Sequence, residues 1–154
     1  MKSTPSKRKK RRVKEPLTDE LLQELLSAPA PDKFIATRTI KRDLPTYLNQ
    51  LLEEKGLKRA DVIRAADLNS TYGWDIFKGE RKPTREPVIA LTFGLQCTLQ
   101  EANRVLQAAG HSELYCKNRR DAIIIYCINN KLTLQKTNET LYAFKEETIN
   151  YRSK

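Results

Sequence analysis

One histidine, one tryptophan, three cysteines and five glycines are all that 154 residues hold of several residue types that most often carry chemistry. His111, the single histidine, follows Gly110. A helix-stopping glycine before it suggests a surface or capping role rather than proton transfer. Cys97, Cys116 and Cys127 are spaced 19 and 11 apart, which fits neither a zinc pattern nor a disulfide frame. They read as reduced thiols, mostly of the core. Glu53-Glu54 and Glu146-Glu147 are adjacent pairs that point apart on a helix, so neither makes a carboxylate dyad. There is no glycine-rich phosphate loop and no nucleophile with a base beside it. The expectation is a protein with no catalytic residues, no metal and no cofactor, hence not an enzyme. Long apolar runs are lacking too, so no bilayer-spanning helix and no membrane partner are expected. The N-terminus has the charge of an export signal without its apolar stretch. A cytoplasmic protein is expected, nucleoid-associated if the host is bacterial.

What is plentiful is positive charge, and it is unevenly spread. The net +10 places +8 in residues 1–14, −4 in 15–36, +4 in 37–85 and +2 in 86–154. Lys7, Arg8, Lys9, Lys10, Arg11, Arg12 and Lys14 have no acid among them and no apolar periodicity. Residues 1–15 are therefore expected to be a disordered basic tail that acts as an arm on phosphates.

Residues 16–43 read as a short amphipathic helix and a connector. Thr18 can cap it, Asp19 and Glu20 suit its first turn, and Leu21, Leu22, Leu25 and Leu26 form a stripe ended by Pro29 and Pro31. In residues 44–110 five helices are legible. Leu44, Tyr47, Leu48, Leu51 and Leu52 mark one face of the first, closed by Gly56. The second spans about 58–66, the third 70–78, and the fourth runs from 83–84 to about 93. Thr98 and Glu101 form a capping box that opens the fifth, and Gly110 stops it.

Residues 111–150 are ambiguous at first sight, because DAIIIYCINN could be a buried strand. An internal repeat decides for helix. TLQEANRVLQA at 98–108 matches TLQKTNETLYA at 133–143, an offset of 35, and EPVI at 86–89 aligns with DAII at 121–124. Helices over 120–130 and 133–147 are expected, forming a hairpin that packs on the domain or on a partner. The fold class is all-α.

Two short helices joined by a tight turn, 58–66 then 70–78, have the layout of a helix-turn-helix. The second would present Ser70, Thr71 and Trp74 to base edges in a major groove, with Lys78, Arg81, Lys82 and Arg85 placed for phosphates. The run Lys78-Gly79-Glu80-Arg81-Lys82-Pro83-Thr84, the turn residues Leu68-Asn69 and the five-helix order resemble the Xre/Cro/CI family of lambda-repressor-like helix-turn-helix regulators. The resemblance covers 44–110. It implies a lambda-repressor-like five-helix domain, a phosphate contact from Arg59, base contacts from Ser70, Thr71 and Trp74, and double-stranded DNA as the partner. It also implies a homodimer, or a protein partner, held through the N-terminal helix or the C-terminal hairpin.

The chain departs from that pattern at four positions. Gly73 stands where the family buries an apolar side chain, leaving a space for Tyr72, Trp74 or a neighbour to fill. Phe77 replaces a glutamate, Arg59 a glutamine, and Asp75 adds a negative charge near the expected phosphate path. Trp74 has two readings: a stack on DNA, or a place in the core or a protein interface. The corresponding second function is an adaptor that uses the same fold for protein contacts.

Overall fold

The computed structural model describes residues 18–39 and 43–149, so the basic arm lies outside the described residues. Among these the chain is all-helical, with nine α-helices and no strand. It divides into two compact units, residues 1–41 and 42–154.

The first unit holds α1 (Thr18–Ser27) and α2 (Asp32–Arg38). Asp19 and Glu20 occupy the first turn of α1, as its sequence implies. Residues 32–38 were expected to be connector and are helical instead. Pro31 occupies the N-cap and Asp32 the first turn, so the proline that ends one helix also opens the next. Arg38 Nε donates to Glu24 Oε2 at 3.1 Å across the pair.

The second unit begins with α3 (Leu44–Lys55), whose whole predicted stripe is buried. After it come α4 (Arg59–Ala65), α5 (Ser70–Lys78), α6 (Arg85–Gly94) and α7 (Leu99–Ala108). α3 packs on α5 and α7, while α4 packs on α5 and α6. Side chains of all five converge on one core in which Leu48, Ile76, Val88, Ile89, Leu91 and Leu106 are fully enclosed. Two glycines set how closely these helices meet. A Cβ at Gly94 would lie 2.5 Å from the Val62 carbonyl oxygen, so α6 touches the backbone of α4. A Cβ at Gly73 would lie 2.5 Å from Ile63 Cγ2. The space expected at Gly73 is thus occupied by Ile63, and a larger residue there would push α4 and α5 apart.

The run DAIIIYCINN lies in α8 (Arg119–Asn129), a helix, capped by Asn118 Oδ1, which accepts from Asp121 N–H. The chain ends its described part with α9 (Leu134–Ala143). α9 was expected to reach 147 but stops at Ala143. Lys145 is left-handed (φ 63°) and Glu146 N–H donates to Leu141 O, closing the helix where a glycine more often does.

The repeat read in the sequence governs the packing of this half. Arg85 donates to the carbonyls of Ser112 and Glu113, and Arg120 makes the same bonds to Glu147 and Thr148. Asn103 Oδ1 accepts from Leu114 N–H, and Asn138 Oδ1 accepts from Ile149 N–H. Gln96 and Lys131 are both left-handed, at φ 55° and 57°. Every one of these pairs is separated by 35 positions. α6 lies against α9 and α7 against α8, so the first helix of each copy meets the second helix of the other. Reciprocal contacts of that kind are what a two-fold interface between identical subunits produces. Here both halves belong to one chain, and the 119–149 hairpin packs on the body rather than standing free.

Candidate nucleic-acid interface

α5 is positioned by three devices. Asn69 Oδ1 accepts from Tyr72 N–H at 3.1 Å and caps its start. Gly73 seats it on Ile63 of α4. At its far end Asn49 Nδ2 donates to Phe77 O at 3.1 Å, tying it to α3. Tyr72, Gly73, Ile76 and Phe77 face the core. That leaves Ser70, Thr71, Trp74 and Lys78 on the outer side, all exposed. A helix that buries one stripe against its own domain presents the opposite stripe to solvent as a rigid unit.

Trp74 is 40% exposed, and one face of its ring is covered. The Arg59 guanidinium sits 4.5 Å from the Trp74 ring centroid and 5.6 Å from that of Phe77. Arg59 Nη2 also donates to Asn49 Oδ1 at 3.1 Å, while its Nε is buried with no hydrogen-bond partner among the described residues. Trp74 is therefore a surface residue braced from below by a cation. Phe77 forms the second wall of the Arg59 slot.

The loop after α5 is held as firmly. Arg81 lies 5.2 Å from the Tyr72 ring centroid. His111 Nε2–H donates to the buried Pro83 carbonyl at 2.9 Å, so the lone histidine pins the loop from the end of α7. Lys78 is shared between Asp75 and Glu80 at 4.0 and 3.9 Å, distances too long and too exposed to neutralise it firmly. Lys82 is exposed and has no hydrogen bond or ion pair among the described residues.

Of the predicted positions, the fold brings Ser70, Thr71 and Trp74 together on α5, with Arg59 beneath Trp74. Lys78, Arg81 and Lys82 follow at the end of the helix and in its loop. Arg85 is placed apart. Its guanidinium pairs with Asp121 at 3.2 Å and donates to Ser112 and Glu113, so it serves the junction between the two repeat copies. Asn49 is a positioning residue that sequence reasoning missed. It lies on α3, 28 residues from the carbonyl it binds, and an amide beside a leucine stripe carries no signal of that contact. The chain matches no family model, no curated protein and no solved structure.

Proposed function

We propose that this protein is a DNA-binding transcriptional regulator of the Xre type, in which α3–α7 form a lambda-repressor-like five-helix domain. α4 and α5 are its helix-turn-helix, and α5 enters the major groove with Ser70, Thr71 and Trp74 at base edges. The observation that carries this reading is the exposed outer stripe of α5 running directly into three exposed cations, Lys78, Arg81 and Lys82. Hydroxyls near bases and cations on the backbone is the division of labour that groove reading needs. Arg59, the basic arm and those three cations contact phosphates. Arg85 is left out of the clamp because Asp121 already compensates it.

Selection from a pool of random duplexes, with the full chain and with a chain lacking residues 1–14, tests this. A motif enriched by both supports it. Binding without enrichment, lost along with the arm, rejects a reading role for α5. Replacing Arg81 and Lys82 by alanine should weaken duplex binding across all sequences and lower the slope of log K against log salt by about two, since each lost phosphate contact removes about one released counterion.

The adaptor reading is favoured by one observation: α1 exposes Leu22, Leu25 and Leu26, and α5 exposes Trp74. Apolar side chains of this size on the surface suit protein contacts. Under that reading the selection would enrich nothing, and alanine at Trp74 would abolish capture of a protein partner.

A further inference from the structure

Where the turns of the two repeat copies come together, the second unit contains a partly enclosed cavity of about 230 Å³. Three pairs of equivalent positions line it: Phe93 with Ile128, Gln96 with Lys131, and Cys97 with Leu132. The pairing places the cavity at the junction of the two copies. Ala65, at the end of α4, forms part of its rim.

The wall is more apolar than polar, with Thr92, Gln96 and Thr133 among its residues. Cys97 belongs to the apolar part, because burial pushes its thiol up to about 12 and keeps it uncharged. The equivalence of the copies fails at one informative point. Gln96 in the first copy corresponds to Lys131 in the second, which places one cationic residue, itself exposed to solvent, among those lining the cavity. The Lys131 backbone N–H donates to Ile128 O, but its ammonium makes no ion pair or hydrogen bond among the described residues. Glu101 lies within electrostatic range of it, but that carboxylate is already bonded to Lys55 at 2.9 Å and to the Thr98 N–H. One positive charge is therefore left over beside an apolar chamber.

We propose that this cavity binds a small monocarboxylate with a single-ring or branched apolar body, its hydrocarbon against Phe93, Ile128 and Leu132 and its carboxylate at Lys131. Size limits the ligand: an apolar cavity of about 150 Å³ holds a benzene ring, and sites for drug-sized molecules begin near 300 Å³. Charge selects the acid over the neutral hydrocarbon. The site goes beyond the reading above and does not depend on DNA binding.

Benzoate and toluene are the probes, titrated into the full-length protein while its amide NMR spectrum is followed. Saturable shifts centred on Phe93, Cys97, Ile128 and Lys131 are expected, larger and at lower concentration for benzoate. Lys131→Gln should weaken benzoate by about tenfold, the worth of one charge-assisted contact, and leave toluene unchanged. Ala65→Leu fills the rim from an exposed position on α4, so the fold should survive, as circular dichroism would verify, while both probes lose binding. The proposal is overturned if neither probe shifts these residues up to its solubility limit, or if Lys131→Gln leaves benzoate affinity as it was.

Discussion

Arg85 and Arg120 occupy the same position in two copies of one motif, and each reaches across to the acid that follows the other. Arg85 pairs with Asp121 at 3.2 Å, and Arg120 grips Glu86 with two bonds of 2.7 and 2.9 Å. Glu86 and Asp121 are themselves equivalent. The exchange works because each arginine also satisfies two carbonyls of its own copy's return segment. A planar group with five donors can do both at once, and lysine could not.

Asp121 is the more buried acid of the two pairs, with its side chain 9% exposed. Arg85→Ala should therefore cost about 3 kcal/mol in urea unfolding, because an uncompensated buried carboxylate is left behind. Arg64→Ala breaks the exposed pair with Asp61 and should cost under about 1 kcal/mol. Equal midpoints for the two variants would contradict the asymmetry in burial.

Glycine to alanine inside a helix is ordinarily stabilising by about 1 kcal/mol. Gly73→Ala should do the reverse, lowering stability by about 1–3 kcal/mol, since the new methyl meets Ile63 at 2.5 Å. The loss should be smaller in an Ile63→Ala background, which removes all three carbons the methyl would meet, a direct coupling that a double-mutant cycle measures. A stabilised Gly73→Ala single variant would show that α4 and α5 are not in such close contact.

Thiol labelling should distinguish the cysteines. Cys116 is exposed, while Cys97 and Cys127 are buried. In the folded protein at mildly alkaline pH one thiol should react quickly. Cys97, its thiol pushed up to about 12 by burial, should react only after unfolding. Mass spectrometry of the labelled peptides would read this directly.

Glu101 connects the capping box of α7 to α3 through Lys55. Burial works to raise its pKa, but the Thr98 N–H and Lys55 outweigh it and hold the carboxyl below its ordinary value of 4.5. A depressed folded value means that the stability it contributes is present above the unfolded pKa and lost as pH falls through the folded one. Glu101→Gln keeps the capping geometry and removes the charge. Its melting temperature should trail the parent's near neutral pH and converge with it in acid, once the pH lies below the depressed folded pKa. A gap that persisted in acid would assign the effect to packing instead.

Trp74 is the only tryptophan, half-open on the outer stripe of α5, so its fluorescence reports on that surface. Duplex DNA docked on α5 should quench it, and Arg59→Ala should shift the free protein's emission by removing the cation from the ring face. Duplex binding with unchanged emission would assign the affinity to the arm.

How much of this could be read from residues alone differs along the chain. The stripe of α3, the Thr98–Glu101 capping box and the spacing of the repeat are local or periodic, and period survives in a string of letters. The sequence pattern overruns the end of α9 because its stop is a left-handed lysine, Lys145, and not the glycine that usually marks such a turn. The helix after Pro31 is not legible in the sequence because a proline serves equally as an end and a beginning.

By itself the sequence determined that the described chain is helical, where its amphipathic faces lie, that its charge gathers in residues 1–14 and around the α5 loop, and that a 35-residue motif occurs twice. These follow from neighbours within a turn or two, whose sterics and capping bonds are set by adjacent letters. Only the tertiary structure decided that Arg85 belongs to the junction and not to the basic loop, that Ile63 takes the place a side chain at 73 would have filled, and that Trp74 rests on Arg59. Each depends on two residues brought together across the core, where desolvation and close packing select partners that no spacing in the chain announces.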